Sequence, residues 1–264
     1  MANLVTDKSR LSDLLGSNRH APAADRLFRN RSVFFVGGAL PVYETLETMF
    51  ESFCTEATAL FFLTFGPRGT FLQGEEMARQ IKKNFNVRLM ASLELSVDIS
   101  DLERIYAAGV DNVVLPLTGT SGINRGELPH SLNAAKAVFP RWGAAAMQLM
   151  GDEAPALIRS RIDLLLQEGV MPLVQLSDRS AGISTEDIDS VLNHLVAGWE
   201  RSSVPLSAYQ PLVSVITPLV ASKPAGLFRG IVDKLRDRHQ LAGSDIRRHL
   251  RVQHVQDSLD SAGL

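Results

Sequence analysis

Apolar residues in this chain come in short, nearly unbroken runs. Ser32–Gly38, Ala59–Phe65, Val87–Leu95, Asn112–Leu117, Gly143–Met150 and Met171–Leu176 are strand-sized. Between them apolar positions return at helical spacing, as in Leu40, Val42, Leu46, Met49 and Phe50, or Met77, Ile81 and Phe85. This predicts helices over Leu40–Phe53, Glu75–Phe85, Ile99–Ala108, His130–Phe139, Ala154–Glu168 and from Ser184 to near Trp199. Continuous rather than alternating runs are what parallel strands need when both faces are buried. The strand–helix unit recurs at intervals of roughly 30 residues, the length of one βαβ step.

Local signals punctuate the units. Gly109 and Gly169 are placed to stop helices. Ser184 is placed to cap one, with Glu186, Asp187 and Asp189 in its first turns, where the helix dipole favours acids. Asp152 and Glu153 read as the cap of the fifth helix. Alternating strands and helices leave a barrel or a doubly wound sheet. The even repeat, and the absence of Gly-x-Gly-x-x-Gly after the first strand, favour the barrel. The expected fold is α/β, a partial TIM-type barrel of about six parallel βα units with extra N- and C-terminal helices. The division expected is 1–31 as an N-terminal helical extension, 32–200 as the barrel-like core, and 201–264 as a C-terminal helical region packed on it. In that last stretch the pattern breaks at Pro205, Pro211, Pro218 and Pro224 and then turns polar from Leu227 to Leu259.

Composition narrows the class without naming a chemistry. The chain has 264 residues, 45% hydrophobic and 21% charged, enough to build a full core. A net charge of −2 does not suggest a nucleic-acid binder. The single cysteine, Cys54, makes no intrachain disulfide and no multi-cysteine metal site, which fits a reducing cytoplasm. It follows a helical pattern and reads as a small buried hydrophobe. His239, His249 and His254 lack metal-ligand spacing, so no metal is expected. No apolar run approaches the roughly 20 residues of a membrane span, and the expectation is a soluble protein. The tail from Lys223 to His254 is locally basic and lacks interleaved aromatics. It reads as a solvated face or a dock for a protein partner, not as a nucleic-acid surface.

Barrel enzymes gather chemistry on the loops after the strands. The polar residues at those ends are Gly37, Gly38, Thr64, Gly66, Arg68, Gly69, Ser92, Glu94, Thr118, Gly119, Gln148, Gln175, Ser177, Asp178 and Arg179. Glu94 shares a face with Ser92 by the two-residue period. A carboxylate there is costly unless used or paired, so Glu94 is the catalytic candidate, or else a structural partner of Arg68 or Arg179. The turn Thr64–Gly69 offers N–H donors and the Arg68 guanidinium to an anion. Gln148 and Gln175 project from apolar strands and need partners, either a ligand or each other. Gly37 and Gly38 allow a ligand to approach the backbone, or simply make a tight turn.

The stretch from Ala59 to Asp178 resembles the core of radical S-adenosylmethionine enzymes of the biotin-synthase-like branch. The resemblance rests on the turn Thr64-Phe65-Gly66-Pro67-Arg68-Gly69, on Ile105-Tyr106-Ala107-Ala108-Gly109-Val110-Asp111, and on the run from Ser131 to Leu176. It implies a six-unit core and an S-adenosylmethionine-type ligand. The chain departs from the family where Cys-x-x-x-Cys-x-x-Cys would follow strand one, since Gly37-Gly38-Ala39-Leu40-Pro41 stands there. A second likeness, in Val33-Phe34-Phe35, Leu63-Thr64-Phe65-Gly66 and Gly69-Thr70, is to methylenetetrahydrofolate reductase and implies flavin or folate. That family's first-strand acid is absent from Ser32–Val36. The function expected is a cluster-less barrel protein that binds a small anionic or nucleotide-like ligand at the C-terminal rim. It acts there as an enzyme or as the non-catalytic partner of a cysteine-bearing radical enzyme.

Overall fold

All six apolar runs are strands, and they lie side by side in chain order. The computed structural model describes residues 4–16, 22–55, 57–93, 97–117, 128–151, 153–176, 180 and 182–221. The elements begin with β1 (Leu4–Thr6), α1 (Lys8–Gly16), β2 (Leu27–Asn30), β3 (Val33–Gly37), α2 (Val42–Thr55) and β4 (Leu60–Phe65). They continue with α3 (Phe71–Asn84), β5 (Arg88–Leu93), α4 (Ile99–Ala107), β6 (Asn112–Pro116), α5 (His130–Val138) and β7 (Ala144–Met150). The last are α6 (Pro155–Gln167), β8 (Met171–Leu176), α7 (Thr185–Arg201), α8 (Gln210–Ile216) and β9 (Leu219–Ala221). Strands β3 to β8 are parallel, each hydrogen-bonded to the one before it. That order has no reversal point, so the doubly wound alternative is excluded. The sheet curls until β3 and β8 both pack on α8, yet β2 and β8 at its two edges do not pair. The fold is a half-barrel.

Three strands, β1, β2 and β9, were not expected. β2 adds a seventh strand, antiparallel to β3, with Leu27 opposite Val36 and Asn30 opposite Val33. Residues 1–31 were expected to be a helical extension, and among the described residues the helix there is Lys8–Gly16. Apolar packing draws β2 onto the sheet, where Phe28 stacks on Phe35 at 4.7 Å between ring centroids. Its hairpin turns through Arg31 at φ 56°, a conformation usually marked by Gly or Asn. β1 pairs antiparallel with β9, far off in sequence. The part of the C-terminal expectation that falls on 222–264 lies outside the described residues.

The pleat sends alternate residues to two cores. Phe34, Val36, Phe61, Leu63, Leu89 and Ala91 pack outward on α2 to α5. Val33, Phe35, Leu60, Phe62, Met90 and Val114 face inward, against Leu11 and Leu14 of α1 and Leu212, Val213 and Ile216 of α8. Each fully buried side chain of this size contributes about 1.5–3 kcal/mol. The concave side of the sheet is therefore filled in its lower part by helices from both ends of the described chain.

Helix ends follow the expected chemistry with one exception. Gly109 and Gly169 take φ values of 111° and 72°, which a side chain would strain. The Ser184 hydroxyl accepts from the Asp187 N–H at 3.1 Å. Glu153 does not cap the fifth of the expected helices, α6. Ala154 holds that position without a side-chain bond, and Glu153 instead pairs with the buried Arg161. A buried guanidinium costs more to leave unpaired than a helix N-terminus does, so the carboxylate goes to the arginine.

A polar chain links the N-terminal ends of β5 and β6 to Tyr209, just before α8. Arg88 Nη1 donates to Asn112 Oδ1 at 3.2 Å, and Asn112 Nδ2 donates to the Tyr209 hydroxyl at 3.1 Å. That hydroxyl donates in turn to the Trp142 carbonyl at 2.5 Å. Burial pushes the Tyr209 phenol well above its ordinary range, although the Asn112 hydrogen bond opposes the shift. Arg10 of α1 donates to the carbonyls of Thr217 and Leu219 at 3.0 and 3.2 Å, tying α1 to the chain that follows α8.

Candidate functional site

Among the described residues, the inner face is less buried at the C-terminal ends of the strands. Strand register puts Gly37, Thr64 and Ser92 in one row, Pro116, Met147 and Leu173 in another, and Leu149 beside Gln175 in a third. Ser92, Pro116, Met147 and Gln175 are partly exposed, and Leu149 is 41% exposed. One step lower on the same face, Met90, Val114, Ala145 and Leu173 are buried. The half-barrel thus has a shallow mouth with an apolar floor at the end where this architecture places its sites.

Of the residues singled out from the sequence, Ser92 and Gln175 face this mouth. Thr64 shares the face but is sealed at 1% exposure. The glycines beside it serve the chain's own packing. A Cβ on Gly37 would collide with the Ala24 carbonyl, one on Gly38 would press on the Thr64 carbonyl, and one on Gly66 would strike the Thr70 hydroxyl. Hydrogen bonds fix the same approach, with Gly37 N–H donating to Arg26 O at 2.7 Å and Gly38 N–H to Thr64 O at 2.8 Å. Both glycines lie against the chain's own backbone, Gly37 at the end of β3 and Gly38 just after it. Gly69 lies in the 3₁₀ turn Arg68–Thr70 with open space around it.

Arg68 turns toward the helices. Its Nη1 donates to Asp101 Oδ1 at 2.6 Å. Asp101 is itself part of a reciprocal cap with Asp98 at the start of α4. Burial pushes the Asp101 carboxyl up. The Arg68 hydrogen bond, the Asp98 N–H and the charges of Arg68 and Arg104 outweigh that and hold it below the usual carboxylate range. Beside this pair the buried Glu75 accepts from Arg104 at 2.9 and 2.7 Å, and Arg68 and Arg104 both lie over the Phe71 ring. These charges tie α3 to α4.

Gln148 lies on the other face. It stands opposite Val174 in register and is 2% exposed, and both polar atoms of its amide lack a hydrogen-bond partner. It cannot bond Gln175, which points to the mouth. Glu94, Thr118, Gly119, Ser177, Asp178 and Arg179 lie outside the described residues, as do His239, His249, His254 and the side chain of Cys54. The sequence reading passed over Pro116, Met147 and Leu149 because they are apolar. The period of two in Ala144–Met150 carried the signal, since a residue facing the helices at Gln148 puts Met147 and Leu149 on the opposite face.

The described inner positions at these strand ends carry Thr64, Ser92, Pro116, Met147, Leu149 and Gln175, none of them charged. Methionine and leucine give an adaptable apolar surface. The glutamine amide both donates and accepts, and the serine hydroxyl does the same. Among the described residues no three His, Cys, Asp or Glu side chains come together as a metal site. The chain's one cysteine cannot supply the three thiolates of a site-differentiated iron–sulfur cluster. No described helix is long and apolar enough to cross a membrane. No protein-family model matches the chain, and no curated protein matches it.

Proposed function

We propose that this half-barrel binds a small nucleoside-like ligand, of the S-adenosylmethionine type, in the mouth at the C-terminal ends of β5 to β8. One observation carries the reading. Below, the inner face packs on α8 and α1, whereas among the described residues Met147, Leu149 and Gln175 stand at least partly exposed above. Pro116, Met147 and Leu149 suit a base or another flat heterocycle, and the Gln175 amide suits its hydrogen-bonding edge. The anionic half of the sequence expectation has less support, because the Arg68 guanidinium is engaged by Asp101. Adenosyl compounds are the first class to test, flavins and folates the second.

The test is a thermal-shift screen of the full chain with S-adenosylmethionine, S-adenosylhomocysteine, adenosine, flavins and folates. A positive compound is then titrated against wild type and Gln175→Ala. Loss of a net hydrogen bond worth about 1 kcal/mol weakens binding several-fold while the fold is unchanged. Equal affinity in the two proteins would remove Gln175 from the site.

A further inference from the structure

The methionines of this chain are protected unequally. It has seven. Met49, Met77, Met90, Met150 and Met171 are all 0% exposed. Met147 is partly exposed, and Met1 lies outside the described residues. The difference follows from position. Met147 is packed at the top of the inner core, on the face that opens into the mouth. In register it stands between Pro116 of β6 and Leu173 of β8, so it lies in the middle of the apolar floor. Two residues further along the same face comes Leu149, beside Gln175. The other side chains that oxidants attack are the two tryptophans and Cys54. Trp142 and Trp199 are 8% and 0% exposed, and the side chain of Cys54 lies outside the described residues.

A thioether carries lone pairs and reacts with peroxide when peroxide can reach it. The sulfur attacks one oxygen of hydrogen peroxide, the S–O bond forms as the O–O bond breaks, and water leaves after proton transfer. Sulfur loses two electrons and the peroxide gains them, giving a sulfoxide. An apolar side chain thereby becomes polar, with a strong acceptor oxygen. In a sealed core that oxygen would need a donor, and without one the fold would suffer. At Met147 water reaches part of the side chain, so the oxygen is solvated and the fold is kept. The floor of the mouth is what changes. A soft apolar contact between Pro116 and Leu173 is replaced by a larger polar group. Methionine sulfoxide reductases, acting on each sulfoxide epimer with a dithiol as reductant, reverse the step.

We propose that Met147 is a selective, reversible oxidation site for hydrogen peroxide, and that its sulfoxide weakens binding in the mouth. The place of oxidation stands on exposure and register. The loss of binding rests on the ligand reading above. The test treats the full chain with dilute hydrogen peroxide and follows every methionine, and Cys54, by peptide mass spectrometry. Met147 should gain one oxygen at least about tenfold faster than Met49, Met77, Met90, Met150 or Met171, with the melting temperature unchanged. A rate at Met147 no higher than at these five would overturn the assignment. Titration with S-adenosylhomocysteine then reads the mouth in wild type and in Met147→Leu. Peroxide should weaken the wild-type affinity several-fold, and reductase with dithiol should restore it. The affinity of Met147→Leu, whatever its starting value, should not move with peroxide. Equal loss in both proteins would move the effect to another residue, Cys54 included, and overturn the link to binding, as would unchanged affinity in oxidised wild type. Failure of S-adenosylhomocysteine to bind before oxidation would bring down the adenosyl reading and this link together, while the mass measurement still decides the oxidation site.

Discussion

The two ends of the same parallel strands are finished in opposite ways. At the N-terminal end, polar groups are buried and hydrogen-bonded in series, from Arg88 through Asn112 and Tyr209 to the Trp142 carbonyl. At the C-terminal end, apolar groups are exposed, Leu149 inside the mouth and Tyr43 and Leu72 on its rim. A buried polar chain is costly when broken and serves the fold. Exposed apolar surface contributes little to the fold and marks a place for something else. The proposed reading assigns structure to one end and recognition to the other.

Substitutions can break or sharpen that contrast. The largest effect is expected from Tyr209→Ala, which empties a fully buried aromatic site. It should cost about 3–5 kcal/mol in denaturant unfolding, whereas Leu149→Ala should stay within about 0.5 kcal/mol. Tyr209→Phe keeps the volume but strands Asn112 Nδ2 and the Trp142 carbonyl, and should cost about 1–3 kcal/mol. If Tyr209→Phe proved neutral, the lower end would be held by packing alone.

Acid comes next. The Asp101 carboxyl lies below its ordinary range in the folded protein, so its contribution is complete above the unfolded value of about 4 and fades as pH falls through the folded value. Stability curves of wild type and Asp101→Asn should converge below pH 4, and a constant gap down to pH 2 would contradict the assignment. The smallest effect is expected at Gln148, whose buried amide lacks partners. Gln148→Leu should be neutral, or stabilising by up to about 1 kcal/mol. Clear destabilisation would show that the amide has work to do on the helix side.

The parallel core was legible because burial on both faces forces continuous apolar runs, and each of the six runs became a strand. Helix stops at Gly109 and Gly169 and the cap at Ser184 were legible because they are local. The strand β2 was not, since a four-residue strand turning through Arg31 lacks the usual glycine signal. The pairing of β1 with β9 and the seating of α8 inside the curl are long-range events that no local pattern announces. At the site, the strand-end rule led to Ser92 and Gln175. Polarity was a poor guide to the rest. It selected glycines that Ala24 and Thr64 already occupy, an arginine held by Asp101 and a glutamine on the wrong face, while it passed over Met147 and Leu149.

The claim that the open end is the binding end rests on the mouth, and Leu149→Arg tests it most directly. The side chain is exposed, so the variant should melt at the wild-type temperature, while the longer charged group fills the mouth. The ligand screen should then yield an adenosyl or related compound that raises the melting temperature of wild type and leaves that of Leu149→Arg unmoved. An equal rise in both proteins, or no rise with any compound in wild type, would contradict the account.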